Sequence, residues 1–287
     1  MSKLNSPSYV MRLMQERGFA AKKRWGQNFL VDKNILGKIV EAAAIGSNDW
    51  VLEIGPGLGV LTKSLAVQAQ KVISLEIDSD LVQILQDVVT EPNVEIIEAD
   101  ALHVNWKELF TSLGWGGEPV RLAANLPYYI TTPLIMKALE GDMDFSTIVV
   151  MVQREVADRM AASPGSKDYG VLSLAVQYYT NAAIVANVPR TVFVPSPAVD
   201  SAIVKLEPQP PSVAAPRDEL FQVIRASFQQ RRKTIRNALK PLAKNWGITL
   251  EQLDMALERA GIEQNIRGER LSLEEFSELT VNLMIGV

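Results

Sequence analysis

Hydrophobic and polar positions along the first 150 residues alternate between two patterns. Short apolar runs predict buried strands, and longer segments with apolar residues every three or four positions predict amphipathic helices. The predicted strands cover 50–54, 71–76, 93–97, 120–124 and 146–152, and the predicted helices cover 32–44, 60–69, 79–89, 105–113 and 131–139. Strands that alternate with helices in this way predict a parallel sheet with helices on both faces.

The remainder of the chain has a different pattern. Two β-rich runs within 182–206 predict a terminal antiparallel pair of strands, and the proline-rich segment 207–216 has no periodicity. The segments that follow are all helical in pattern: 217–228, 231–242, 250–260 and 272–284. We therefore expect an α/β domain over 1–206, a linker over 207–216 and a small all-helical domain over 217–287.

The net charge of −4 is spread unevenly along the chain. Residues 1–38 and residues 217–244 each contain eight Lys and Arg against two Asp and Glu, so each segment has a net charge of +6. The remaining residues therefore carry −16. Chance clustering of surface charge is one explanation, but two basic segments on an acidic body favour a polyanion as the partner.

Composition excludes several classes of site. There are no cysteines and one histidine, His103. Disulfides, thiolate sites and histidine-rich metal sites are therefore excluded, and we expect no metal. No apolar run reaches the ~18 residues that a membrane span needs, and the first residues lack the apolar core of a signal peptide. We therefore expect a cytoplasmic monomer that has no membrane partner.

A glycine-rich loop follows the first strand of the predicted sheet. Gly55, Gly57 and Gly59 come directly after 50–54, at the edge of a parallel sheet where ligands bind. Glycines allow a ligand to approach the backbone closely. The G-x-G-x-x-G fingerprint of dinucleotide-binding proteins is not matched, because its third glycine would fall at Val60. By itself, the loop is also consistent with a tight turn between strand and helix.

Acidic residues end the next two strands. Glu76 closes the second strand, seventeen residues after Gly59, and Asp100 follows the third. A carboxylate at the first position can accept hydrogen bonds from both ribose hydroxyls of a nucleoside. One at the second position can accept from an adenine amino group. Either carboxylate alone is equally consistent with a solvated strand end, but with the glycine loop they predict the Rossmann-like sheet of a class I methyltransferase that binds S-adenosylmethionine.

The most specific signal is Asn125-Leu126-Pro127-Tyr128, directly after the fourth strand. It resembles the [Asn/Asp/Ser]-x-Pro-[Tyr/Phe/Trp] motif of enzymes that methylate exocyclic amines. The adenine N6 amine is a poor nucleophile. The Asn125 side-chain oxygen and the Leu126 carbonyl can hold its hydrogens, so that its lone pair points at the methyl group. Pro127 fixes the turn, and Tyr128 offers an aromatic face to an extruded base. The alternative is a proline-containing turn with a core tyrosine.

Seven segments together identify a family. They are KRWGQNFL (23–30), EIGPG (53–57), NLPY (125–128), QREV (153–156), FVPSP (193–197), VDS (199–201) and FQQRRKT (228–234). In these segments, and along essentially its whole length, the chain resembles the small-subunit ribosomal RNA adenine dimethyltransferases, the KsgA family.

The resemblance implies specific roles for residues of this chain. It implies that Asn28 and Leu30 wrap over the cofactor and that Phe193 stacks on the target adenine opposite Tyr128. The residues that it implies for S-adenosylmethionine binding are Asn28, Leu30, Gly55, Gly57, Glu76, Asp100 and Asn125. The implied product is two adjacent N6,N6-dimethyladenosines near the 3′ end of small-subunit (16S) rRNA in an assembling 30S particle.

The basic segments predict where RNA binds. The candidate RNA-binding residues are Lys22, Lys23, Arg24, Arg225, Arg231, Arg232, Lys233 and Arg236. If one helix continued through Gln230, then Arg225, Arg232 and Arg236 would lie along one face, because they are seven and four residues apart. A turn near Gln230 would break this arrangement. The alternative to RNA binding is that 225–236 packs against the α/β domain through arginine stems and salt bridges.

Three other functions fit parts of this pattern. A large-subunit rRNA adenine methyltransferase of the antibiotic-resistance type would share the tetrapeptide and the cofactor site. A non-catalytic RNA-binding assembly factor would not need the intact tetrapeptide, and an NAD-dependent oxidoreductase would need the missing fingerprint glycine. The segments 26–30 and 231–234 favour the small-subunit enzyme.

Overall fold

The chain forms two compact units. A computed structural model describes residues 4, 6–22, 25–230 and 232–285. The first unit is Met1–Ala157 with Asn181–Pro208, and the second is Asp158–Thr180 with Gln209–Val287. The segment 158–180, which the sequence pattern placed in the α/β domain, thus groups with the C-terminal helices. Tyr169 explains this grouping, because it is buried, its hydroxyl donates to the Leu271 carbonyl at 2.9 Å, and its ring contacts Phe228.

The first unit is built on a mixed sheet. Its strands are β1 (Phe29–Leu30), β2 (Trp50–Ile54), β3 (Lys71–Glu76), β4 (Val94–Glu98), β5 (Val120–Asn125), β6 (Phe145–Gln153), β7 (Thr180–Val188), β8 (Phe193–Val194) and β9 (Ser201–Pro208). Seven of them form one sheet in the order β4-β3-β2-β5-β6-β9-β7, and β1 pairs separately with β8. The strands from β4 to β6 are parallel, whereas β9 runs antiparallel to β6. The predicted parallel sheet is confirmed.

The strand order places a crevice beside β2. The chain proceeds outward from β2 to β3 and β4, and then returns to add β5 on the other side of β2. Ligands of open parallel sheets bind outside the carboxyl ends of the strands at such a reversal. All five residues of β2 are buried, as expected for a central strand that is covered on both faces. The loops after β2 and β5 therefore meet at one edge.

Helices cover both faces of this sheet, as predicted. They are α1 (Pro7–Glu16), α2 (Lys33–Ala43), α3 (Val60–Ala66), α4 (Ser79–Val88), α5 (Trp106–Ser112), α6 (Thr131–Glu140) and α7 (Arg154–Met160). Asp32 caps the N-terminus of α2, because its carboxylate accepts from the amides of Asn34 and Ile35 at 2.8 and 3.0 Å. Such a cap satisfies amides that have no partner within the helix.

Apart from Thr180, which begins β7, the regular secondary structure described in the second unit is helical. After the end of α7 it contains α8 (Val171–Tyr179), α9 (Arg217–Gln229), α10 (Ile235–Asn245), α11 (Leu250–Arg259) and α12 (Leu273–Ile285). Leu220, Ile224, Leu253 and Phe276 are fully buried and form part of its core. Of the predicted linker 207–216, the first two residues continue β9, which ends at Pro208, and α9 begins at Arg217.

The helix predicted for 231–242 begins later than expected. Gln230 ends α9 with a non-helical backbone (φ −128°, ψ 63°), and the Lys233 amide donates to the Gln230 carbonyl in a turn. The next helix begins at Ile235. The condition under which Arg225, Arg232 and Arg236 would share one helical face, a helix that continues through Gln230, is therefore not met.

Two further properties follow from the described residues. None of the helices described above is long and apolar enough to cross a membrane. Among residues 4, 6–22, 25–230 and 232–285, no three His, Cys, Asp or Glu side chains are grouped so that they could hold a metal ion.

Candidate active site

A pocket opens in the first unit at the carboxyl ends of β2 and β5. Its empty space is about 800 Å³, including the part open to solvent. The predicted cofactor residues that line it are Asn28, Leu30, Gly55, Gly57, Glu76 and Asn125. Asp100 lines an adjoining pocket whose walls also include Gly55, Glu76 and Pro127. The structure therefore brings all seven predicted cofactor residues to one edge of the sheet.

The glycine loop after β2 leaves no room for larger residues. Gly57 and Gly59 have φ values of 61° and 80°, in the left-handed region that favours glycine. A Cβ atom on Gly57 would lie 3.0 Å from the Phe29 ring, and one on Gly59 would lie 2.5 Å from a methyl of Val89. The loop is thus fixed in a shape that leaves its backbone exposed to the pocket.

Glu76 ends β3 with its carboxylate against the pocket. The residue is only 5% exposed. One carboxylate oxygen accepts from the amides of Ile77 and Asp78, both at 3.0 Å, and the other accepts a 3.4 Å contact from Gly57. Burial raises the pKa of Glu76 to about 7, although these amides oppose the shift. A partner with hydroxyl donors would favour the charged carboxylate.

Asp100 is held more firmly in the charged form. Its oxygens accept from the Leu102 amide at 2.9 Å and contact Nδ1 of His103 at 2.7 Å. Burial raises the pKa of Asp100, but these two partners outweigh that effect and hold it below the ordinary value. Lys137 secures the same loop, because its ammonium donates to the carbonyls of Ala101, Leu102 and Val104 at 2.6–2.9 Å.

The tetrapeptide begins with Asn125, the last residue of β5, and forms one wall of the pocket. The side-chain amide nitrogen of Asn125 donates to the backbone carbonyl of Asn28 at 3.4 Å. The backbone amide of Leu126 donates to the backbone carbonyl of Met151 at 3.1 Å, which connects the motif to β6. Pro127 packs so closely on the glycine loop that a Cβ atom on Gly55 would lie 3.4 Å from its ring. The motif and the glycine loop are therefore one packed unit.

Tyr128 lines the pocket, but Phe193 does not. The Tyr128 hydroxyl lies 2.6 Å from the Ser201 hydroxyl. Phe193 is 3% exposed and lies in the hydrophobic core, with its backbone paired to Leu30 through the β1–β8 ladder. Stacking of Phe193 on an adenine stays a prediction, and it requires that the ring become exposed.

The predicted RNA-binding residues differ in their surroundings. Arg225, Arg232 and Lys233 are exposed, and the Arg225 guanidinium lies over the Phe221 ring. Lys22 and Arg236 are engaged in ion pairs. The alternative for 225–236 expected salt bridges to the α/β domain, but the partner of Arg236, Asp254, lies in the second unit. Lys22 contacts Asp78 and Asp80 at 2.6 and 2.7 Å, and Arg236 binds Asp254 through two bonds of 2.5 and 2.8 Å. Lys23, Arg24 and Arg231 lie outside the described residues.

Glu53 is a pocket residue to which the sequence reading gave no role. It is 1% exposed in the middle of β2, and one oxygen accepts from Ser74 at 2.7 Å. Its other oxygen has no hydrogen-bond donor among the residues that the structure describes. Burial raises the pKa of Glu53 to about 7. An acidic residue within an otherwise apolar strand is the signal by which the sequence could have shown it.

Comparisons with known proteins give consistent results. A family model described as "Ribosomal RNA adenine dimethylase" matches residues 18–281. The "Ribosomal RNA small subunit methyltransferase A" of Bacillus thuringiensis (strain Al Hakam) is 46% identical, covering 99% of each chain. A dimethyladenosine transferase from Plasmodium falciparum matches with a TM-score of 0.73 and 31% identity, over 87% of this chain and 95% of that one. The 23S rRNA methyltransferase ErmE matches with a TM-score of 0.66 and 27% identity, over 90% and 100%. The methyltransferase fold expected from the sequence is confirmed.

Proposed function

This chain belongs to the ribosomal RNA adenine dimethylase family, and we propose that it dimethylates N6 of two adjacent adenosines near the 3′ end of small-subunit (16S) rRNA, with S-adenosylmethionine as the methyl donor. The observation that carries this proposal is the packing of Asn125–Tyr128 against the glycine loop and beside Glu76 in one pocket. The 46% identity over 99% of both chains to a small-subunit methyltransferase supports the choice of substrate.

The residues of the pocket fit S-adenosylmethionine. Gly55 and Gly57 line the pocket without side chains, so a ligand can approach their backbone, and the buried Glu76 carboxylate suits two ribose hydroxyls. Glu53 also lines the pocket, and its second oxygen has the buried Thr62 hydroxyl as its neighbour. Asp100, held charged in the adjoining pocket, suits the adenine amine. When bound, the cofactor supplies an electrophilic methyl group.

Asn125 and Leu126 would orient the target amine. The Asn125 amide nitrogen is directed to the Asn28 carbonyl, which leaves the amide oxygen as an acceptor for one N6 hydrogen. The Leu126 carbonyl accepts the other. In the first transfer, holding both hydrogens directs the lone pair of the nitrogen out of the ring plane. In the second transfer the monomethylated nitrogen has one hydrogen, so a single acceptor holds it. The proton that the methylated nitrogen must lose passes to solvent.

RNA docking is assigned to the exposed cations. Arg225, Arg232 and Lys233 are available to phosphate, whereas Lys22 and Arg236 would first have to leave an ion pair. We assign the first group to RNA and the second to holding the fold. The second unit thereby serves as the RNA-docking part of a protein that acts as a monomer on an assembling 30S particle in the cytoplasm.

One alternative substrate has an observation in its favour. The structural similarity to a 23S rRNA methyltransferase, at a TM-score of 0.66, fits methylation of large-subunit rRNA. Incubation of undermethylated small subunits and, separately, large subunits with labelled S-adenosylmethionine distinguishes the two. We expect label in the small-subunit RNA alone. Label in the large-subunit RNA alone would select the alternative, and label in neither would favour a non-catalytic assembly factor.

A further inference from the structure

The VDS segment, 199–201, has no role in the mechanism above. Ser201 is the first residue of β9 and is fully buried. Its hydroxyl lies 2.6 Å from the hydroxyl of Tyr128, a residue 73 positions away in the chain. We infer that Ser201 is a positioning residue, which fixes the Tyr128 ring in the orientation that receives the target base. This inference rests on the proposed function.

Ser201 is a fixed point in the first unit. Its backbone is in register with Gln153 at the end of β6. The preceding residue, Asp200, is tied at two atoms: its carbonyl accepts from the Arg154 amide at 3.0 Å, and its carboxylate accepts from the Arg190 amide at 2.9 Å. On a backbone held this way, only rotation about χ1 can move the Ser201 hydroxyl, and staggered rotamers limit it to three positions.

Tyr128 needs an anchor of this kind. It is the first residue of a single 3-10 turn, Tyr128–Ile130, and lies outside the strands of the sheet. Its Cα is held by Pro127, but rotation about its two side-chain bonds would sweep the ring through the pocket. A hydrogen bond at the far end of the ring removes this freedom, because the hydroxyl is the atom farthest from the backbone.

The same contact limits what the Tyr128 hydroxyl can do. Burial raises the pKa of Tyr128 above its ordinary value, so the phenol stays protonated at neutral pH. A protonated phenol that is engaged with Ser201 is unsuited to take a proton from the target amine. The ring face is then the part of Tyr128 that acts on the base, and Ser201 acts through it.

A double-mutant cycle tests the inference. The variants are Ser201→Ala, Tyr128→Phe and the two combined, each compared with the wild type for kcat and KM on small subunits and for the Kd of S-adenosylhomocysteine. Either single change should lower kcat about fivefold, the equivalent of one hydrogen bond. Because both remove the same bond, the combination should be no worse than the poorer single variant. The Kd of S-adenosylhomocysteine should stay within about twofold.

Ser227→Ala is the matched control. Ser227 is also buried, and its hydroxyl donates to the Val223 carbonyl within α9, so this change removes a buried serine hydroxyl away from the pocket. It should leave kcat unchanged. If Ser201→Ala does not fold, Ser201→Cys replaces it in the cycle, since a thiol of similar size is a weaker partner and should give an intermediate kcat.

Failure of the inference is distinct from failure of the proposed function. If the wild type methylates small-subunit RNA but the two losses in kcat multiply in the combined variant, Ser201 does not act through Tyr128. The same conclusion follows if folded Ser201→Ala has the wild-type kcat. If the wild type methylates no small-subunit RNA, the proposed function itself is wrong.

Discussion

Replacement of Glu76 by Gln should weaken cofactor binding strongly. The amide oxygen of the introduced glutamine can keep the bonds from Ile77 and Asp78, so its NH₂ group falls where the second carboxylate oxygen now faces Gly57. The variant then offers donors to ribose hydroxyls that need an acceptor. Loss of two charge-assisted hydrogen bonds, partly replaced by neutral ones, amounts to about 2–4 kcal/mol, or a Kd for S-adenosylhomocysteine about 30- to 1,000-fold higher.

The pH dependence gives a second readout. The pKa of Glu76 in the free protein is about 7, and ribose hydroxyls prefer the ionised form. Wild-type affinity should therefore fall as the pH falls from 8 to 6, by about tenfold at pH 6, where roughly one carboxylate in ten is ionised. In Glu76→Gln the Kd should no longer depend on pH in this way. Only the pH dependence that comes from Glu53, whose pKa is also about 7, should remain.

Isothermal calorimetry at pH 6, 7 and 8 measures both effects. Glu98→Gln is a matched control, because Glu98 is exposed and lies opposite Glu76 in the β3–β4 register. It should bind S-adenosylhomocysteine like the wild type. A folded Glu76→Gln variant with wild-type affinity would refute the ribose assignment, and a wild-type Kd that is constant from pH 6 to 8 would refute the role of ionisation.

Three further outcomes are expected. Tyr128→Ala should lose about a hundredfold in kcat, far more than Tyr128→Phe, with unchanged S-adenosylhomocysteine binding; equal losses would indicate a hydroxyl role instead of stacking. Glu53→Gln should raise the melting temperature more at pH 8 than at pH 5. The raised pKa of Glu53 means that the stability contributed by its neutral form is present below pH 4.5 and lost as the pH rises through 7; a gain that is the same at both pH values would contradict this. Combined Arg232→Gln and Lys233→Gln should reduce the log–log salt slope of RNA binding by about 1.4–1.8, and an unchanged slope would remove both from the RNA site.

The sequence predicted best those elements whose pattern is local. The strands Trp50–Ile54 and Lys71–Glu76 match their predicted bounds, because each is an apolar run with glycine or charged residues beside it. The residues at their carboxyl ends could then be placed together, since parallel strands end at one edge of a sheet. The common edge of the parallel strands was sufficient to predict that Gly55, Glu76 and Asn125 lie close together.

Features that depend on distant packing could not be predicted. The membership of 158–180 in the second unit depends on contacts such as Tyr169 with Leu271. The ion pairs of Lys22, a candidate RNA ligand, with Asp78 and Asp80 join residues that are far apart in the chain. The contact between Tyr128 and Ser201 joins residues whose proximity no local pattern records. In each case the partner is set by tertiary structure and not by spacing in the chain.

The most direct test of the central claim is the position of the product on the RNA. Small subunits that lack the modification are incubated with the enzyme and S-adenosylmethionine, and the 3′ region of the rRNA is digested and mapped by mass spectrometry. We predict two adjacent N6,N6-dimethyladenosines and four methyl groups per RNA, and neither nucleoside with Asn125→Ala. Methylation at another atom, at scattered adenosines or on the large-subunit RNA instead would contradict the account.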